Sequence, residues 1–437
     1  MSAARRLADP RHGFAAKLIA LAVVGVALRI GFGFSLHEPG GDATFYHRVA
    51  NSLADGDGFV SPIIGGATAA HPPLFPFLLA AVSLLGGTSE GIHQAAGCVI
   101  GASTAVVAGL AGRRIDGPRL GLIAAAGIAV YPPLLADDSL LLSESAYELA
   151  IALTVLAALR LLERATRPRV VLLGAAIGLA ALGRAEALLL VPLLALPLVI
   201  RLDRGRLAAF ALVCAGTAVV VLPWTARNTI VFDQVVLVST NDGSVIAGAN
   251  CPASYGRLLG QWDLGCTLRA SSRSGRSAAE RRAVEDLARD GSVSPETAAD
   301  VLRAEGGNEA VVADRQRRRG LRYARHHSAA LPKVVAARIG RTWSLYRVNE
   351  QVRTNRFLRG SPAWLEWLTV ASFYLAALLA IAGAVALRRR RGELLVLLSP
   401  LVLVTLTSAI GYGTPRFRAA AEVAIVLLAS VTLDRAA

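Results

Sequence analysis

The sequence carries no Walker or dinucleotide-binding glycine fingerprint and no short-period repeat, which leaves a nucleotide-binding motif unsupported and excludes a solenoid. His37, His47, His71 and His93 lack the local spacing of a zinc site. Cysteine is scarce, at four residues. Cys98 and Cys214 lie in apolar runs, where a thiol behaves as a small hydrophobe. Charge is low as well: 18% of residues, against 54% hydrophobic, with a mean hydropathy of +0.51. Several apolar runs approach the length that matches the bilayer core, so a soluble globular protein is excluded. The charge present is one-sided, at +15. In so apolar a chain, Arg in cytoplasmic loops and at headgroups accounts for that excess, and no nucleic-acid partner is expected.

What is there reads as a polytopic α-helical membrane protein. A basic opening precedes a first apolar run, 17–35, too long for a signal-peptide core, so an uncleaved span with a cytoplasmic N-terminus is expected. Further crossings are expected at 93–112, 119–136, 145–162, 169–183, 186–201, 206–224, 364–387, 394–410 and 418–433, about ten in all with both ends in the cytoplasm. The short run Pro73 to Leu85 opens with prolines and is read as an interfacial helix. Parity supports that: only if it does not cross do Arg113, Arg114, Arg119, Arg164, Arg167, Arg169, Arg201, Arg204 and Arg206 all face the cytoplasm. Three regions follow: membrane helices over 1–224 with a first outer loop at 36–92, an extracytoplasmic soluble region over 225–361, and closing membrane helices over 362–437.

The soluble region begins with β-branched residues and an Asn241-Asp242-Gly243 turn, which predicts short extended segments, so a mixed α/β character is expected. Cys251 and Cys266 enclose a small loop on the oxidising side, and a disulfide there is expected. A charged helix is expected to open at Ser294-Pro295-Glu296. The basic run from Ala313 to Trp343 is expected to lie on anionic lipid headgroups.

Chemically capable groups crowd the outer side. The stretch from Gly40 to Pro76 supplies Asp42, Tyr46, His47, Arg48, Asp55, Asp57 and His71. Asp137, Asp138 and Glu144 flank the next outer loop, Arg184 and Glu186 form a hairpin tip, and Arg227, Tyr412 and Arg416 lie at later helix ends. Arg184 and Glu186 are read either as a snorkelling pair or as lining a polar cavity. Asp42 is read as a general base, or as the N-cap of the helix that follows, or both. Asp55 and Asp57, two apart among glycines, read first as a turn and second as weak ligands for a divalent metal.

Gly41-Asp42, Tyr46, then His71-Pro72-Pro73-Leu74 resemble the first extracytoplasmic loop of GT-C glycosyltransferases, nearest to the family 39 protein O-mannosyltransferases and the lipid A aminoarabinose transferases. Ser143-Glu144, GLAALGRAEALLL at 178–190, PWTARN at 223–228 and Pro415-Arg416-Phe417-Arg418 continue the resemblance in order. Many relatives carry Asp-Glu where this chain has Asp42-Ala43. The resemblance implies an integral enzyme of the cytoplasmic membrane that uses a polyprenyl-phosphate sugar donor and an extracytoplasmic hydroxyl acceptor. In that scheme Asp42 is the base and Arg416, Arg227 and Arg184 bind the donor phosphate. Tyr46, His71, Glu144, Glu186 and Tyr412 line the acceptor side or the cavity. A phosphate leaving group needs no general acid, and in-line attack inverts the anomeric centre. The alternative is a transporter or flippase of a lipid-linked or anionic substrate.

Overall fold

The computed structural model describes residues 10–33, 41–62, 66–202, 204–271 and 308–436. The helix expected at Ser294-Pro295-Glu296 lies outside the described residues.

Among the described residues, six helices are long and apolar enough to cross a membrane. The first, α1 (Pro10–Gly33), presents Ile19 and Val23 outward, each 62% exposed, as a lipid-facing surface requires. After it come α2 (Asp42–Ala54) and α3 (Leu74–Leu84), the latter too short to span. The long element α4 (Glu90–Val130) is broken at Asp116 and Gly117, where Gly117 takes φ +85°. That break reverses the chain: a Cβ on Gly121 would lie 2.5 Å from the Gly109 carbonyl, so glycines let the two arms close on each other. The expected pair of crossings is therefore one broken hairpin.

The short α5 (Pro132–Asp138) leads to α6 (Glu144–Glu163) and α7 (Arg167–Gly183). The return arm of the 169–201 hairpin is irregular. It runs as a 3-10 turn (Ala185–Leu189), a π turn (Val191–Ala195) and α8 (Leu196–Ile200), with Pro192 and Pro197 interrupting the backbone ladder. The next span, α9 (Arg206–Phe232), packs on α7 through glycine, with the Thr217 hydroxyl donating to the Gly174 carbonyl at 2.9 Å.

The stretch over 225–361, read from the sequence as a soluble region, corrects the expectation of extended segments. Among its described residues there is no strand. It consists of α10 (Asn241–Ala249), α11 (Pro252–Tyr255), α12 (Leu264–Ser271), α13 (Glu309–His326), α14 (Leu331–Thr342) and α15 (Val348–Arg359). Asn241-Asp242-Gly243 opens a helix instead of turning a hairpin. Cys251 and Cys266 are joined, with their Cα atoms 6.3 Å apart. The chain closes with α16 (Ala363–Ala386), α17 (Arg391–Ile410) and α18 (Ala419–Ala436).

Charge sorts the bundle into two ends. At one, Arg114 and Arg169 meet Glu163 at 2.5 and 3.6 Å, and Arg119 meets Asp434 at 3.5 Å. At the other end the acidic and basic groups of the first loop, the hairpin tip and the loop before α18 converge.

Candidate active site

A cavity of about 350 Å³ opens at that second end. Asp42, Tyr46, His71, Arg184, Glu186, Tyr412 and Arg416 all line it, although they come from four separate parts of the sequence.

Asp42 is the first residue of α2. The N-cap position of its helix is Gly41, whose φ of +83° a residue with a side chain rarely adopts. The capping role considered from the sequence thus belongs to Gly41. The Asp42 side chain is buried, and its Oδ2 accepts from Arg416 Nη2 at 2.5 Å. Its Oδ1 lies 4.0 Å from His71 Nε2.

The surrounding chain fixes this geometry. His71 follows a loop whose Thr68 hydroxyl and Ala69 amide both donate to the buried Glu309 carboxylate, at 2.7 and 3.1 Å. The His71 ring packs on Phe45 and Tyr46, with centroids 4.5 and 5.3 Å away. Tyr46 sits one helical turn beyond Asp42, with its hydroxyl 3.1 Å from Ser143 Oγ and 3.3 Å from His71 Nδ1. Burial, then the charges of Asp42 and Glu144, push the Tyr46 phenol well above its ordinary pKa. It therefore stays a neutral hydroxyl.

Arg416 stands on a 3-10 turn, Pro415–Arg418, held by two backbone bonds: Gly413 N–H to the Gly260 carbonyl at 2.8 Å, and Thr414 N–H to Thr342 Oγ1 at 3.2 Å. The fully buried Glu144 takes Arg416 in two contacts, from Nε at 2.5 Å and from Nη2 at 3.1 Å. Burial works against the Arg416 charge, but Glu144 and then Asp42 more than offset it, and its pKa is raised well above the ordinary value. Glu144 also accepts from Arg184 at 3.0 Å, and Arg184 donates to Glu186 at 2.7 Å. The hairpin tip is thus a wall of this cavity, with the Arg184 guanidinium over the Phe417 ring. Tyr412 lies between Trp262 and Phe417, at 6.4 and 4.7 Å between centroids.

Of the residues given a phosphate- or metal-binding role from the sequence, three stand elsewhere. Arg227 does not line the cavity. Its guanidinium donates to the Phe59 and Thr68 carbonyls, at 2.9 and 2.7 Å, and so braces the first loop against α9. Asp55 and Asp57 are exposed in a turn where Gly56 and Gly58 take φ of +88° and +89°. Among the described residues they join no third ligand. Sequence reasoning missed the ion pair between Arg29 and Asp138, both fully buried at 2.7 Å, although an arginine inside a span was the signal. It also missed Arg359, which pairs with Asp137, and the cavity residues Ser143, Ser239 and Asn241.

Residues 70–227 match the family described as dolichyl-phosphate-mannose-protein mannosyltransferase. The whole chain superposes on the archaeal oligosaccharyltransferase AglB from Archaeoglobus fulgidus, solved with an inhibitory peptide and a dolichol-phosphate. The TM-score is 0.54 and the identity 16%, over 97% of this chain and 50% of that one. The fold is that of the GT-C glycosyltransferases. The matched family and this solved fold agree with the GT-C resemblance read from the sequence. The chain spans about half the length of AglB. ArnT from Cupriavidus metallidurans, solved with undecaprenyl phosphate, aligns over 97% of this chain and 78% of its own at 18% identity and a TM-score of 0.46. No curated protein sequence matches the chain.

Proposed function

We propose that this GT-C protein transfers a sugar from a polyprenyl-phosphate donor to a hydroxyl acceptor, with inversion at the anomeric carbon. The observation that carries the reading is the meeting, in one cavity, of a buried carboxylate and two arginines: Asp42 beside Arg416, with Arg184 tied to the same Glu144. Asp42 receives the acceptor proton. The acceptor oxygen bonds to the anomeric carbon as the bond from that carbon to the phosphate oxygen breaks, its electron pair leaving with the phosphate. Arg416 and Arg184 neutralise that phosphate through their planar forks. Tyr46, His71, Glu186 and Tyr412 border the space left for the acceptor.

Asp42 and Glu144 do not fit a divalent ion between them, because the Arg416 guanidinium already stands there. The cavity end is placed outside the cytoplasmic membrane, and the arginine-rich end, with both termini, inside. This placement follows the positive-inside rule applied to the charge sorting of the bundle. The acceptor is then a cell-envelope glycan, lipid or protein.

The test is transfer by purified protein in lipid nanodiscs. It is given a radiolabelled polyprenyl-phosphate mannose, the donor suggested by the matched family, and envelope extracts as acceptor. Sugar leaving the donor is expected, and Asp42→Asn is expected to lower turnover by about 10²–10⁴, the usual worth of a general base, with expression unchanged. Movement of intact donor across the bilayer without cleavage would favour a flippase instead. An Asp42→Asn protein with wild-type turnover would remove Asp42 from the chemistry.

A further inference from the structure

Arg416 is held by two carboxylates in unequal ways. Glu144 grips it twice, through Nε and Nη2, from the first residue of α6, and is fully buried within the bundle. Asp42 touches only Nη2, from the first residue of α2 on the cavity wall. The Nη2 group is shared between the two, and it is the same kind of donor a phosphate oxygen would take. One Asp42 oxygen is therefore engaged by the cation assigned to the leaving group, and a carboxylate paired in this way is a weaker proton acceptor.

We propose that the donor-free protein keeps Asp42 latched to Arg416, and that the arriving donor phosphate takes over the Nη2 contact and releases Asp42 from Arg416 to serve as base. The inference rests on the assignment of Arg416 and Asp42 made above. Glu144 keeps its grip during the exchange, so Arg416 changes one partner without leaving its place. The arriving phosphate also brings negative charge beside Asp42, which raises the carboxylate's affinity for the acceptor proton at the moment it is needed. The order follows: donor first, acceptor second. A base that is latched until the donor is seated also gives an acceptor hydroxyl, or water, no activated partner in an empty site.

The latch makes Asp42 a competitor of the donor phosphate. Binding of undecaprenyl phosphate alone, to the full chain in nanodiscs, is expected to be about tenfold tighter for Asp42→Asn than for wild type, even as turnover falls. That is roughly the net worth of one hydrogen bond to a charged group. Loss of charge repulsion would also tighten binding, so the second measurement is the structure of wild-type protein with undecaprenyl phosphate bound. It is expected to show Arg416 on the phosphate and on Glu144, and apart from Asp42. Unchanged or weaker binding by Asp42→Asn, or a bound phosphate with the Arg416–Asp42 contact kept, overturns the latch and leaves the function proposed above standing. Absence of binding to the wild-type protein overturns both.

Discussion

Asp42 and Arg416 lie 374 positions apart and meet at 2.5 Å. Both could be singled out from sequence as chemically capable groups at helix ends, but which cation would face which carboxylate could not. That pairing depends on how α2, α6 and the turn before α18 come together, and no local pattern encodes it. Arg227 shows the converse. Its PWTARN context pointed to phosphate binding, yet its guanidinium is used on two loop carbonyls and over the Trp224 ring at 4.9 Å. Arg227→Ala is therefore expected to loosen the loop from Phe59 to Thr68. Hydrogen exchange should show lost protection at the Thr68 amide, which bonds the Phe59 carbonyl at 3.1 Å, and at the Ser61 amide, which bonds the Gly66 carbonyl at 2.8 Å. Affinity for undecaprenyl phosphate should stay within about threefold of wild type, since no direct charge-assisted bond is lost. Protected amides combined with a large loss of affinity would return Arg227 to the donor site.

At the scale of elements, the six long apolar helices found among the described residues fall on stretches read as spans, because their signal is length and apolarity, which bilayer thickness dictates. The soluble region was misread because its signals are tertiary. Val236, Leu237 and Val238 looked like strand residues, but their carbonyls accept from Asn228, Thr225 and Trp224 side chains of α9, at 3.3, 2.7 and 2.7 Å. No strand partner is needed. The glycine that suggested a turn serves a close helix contact: a Cβ on Gly243 would lie 2.4 Å from the Ala313 carbonyl oxygen, and in the same helix pair one on Gly320 would lie 2.4 Å from that of Ile246. Composition alone does not separate a glycine that turns the chain from one that lets two helices touch. Gly320→Ala is expected to cost about 1–3 kcal/mol, the range for overpacking against a backbone that cannot yield. It should register as a lower melting temperature of the purified protein. An unchanged melting temperature would mean that α10 and α13 part without penalty.

At the scale of the molecule, the sorting of charge argues for the topology more strongly than any single loop. Arg114, Arg119 and Arg169 gather with Glu163 and Asp434 at one end, and Phe14 near the start of α1 lies under the Arg113 guanidinium at 4.8 Å. Both ends of the described chain therefore sit with the basic loops, as parity required once α3 was excluded as a crossing. The cavity end carries the disulfide-bonded Cys251 and Cys266, a bond that suits an oxidising compartment. These two observations are independent, and both support the proposed placement of the cavity outside. Single cysteines test the arrangement directly, on a background in which Cys98 and Cys214 are replaced by Ala and the disulfide is kept. Asp57→Cys, at the exposed end of α2, and Arg325→Cys, on the exposed face of α13, should react with a membrane-impermeant thiol reagent in intact cells. Asp116→Cys, at the break in α4, and Arg389→Cys, between α16 and α17, should react only after the membrane is opened. The reverse pattern would turn the cavity toward the cytoplasm. Labelling of Asp57→Cys and Asp116→Cys from the same side would mean that α3 or an arm of α4 does not run as parity demands.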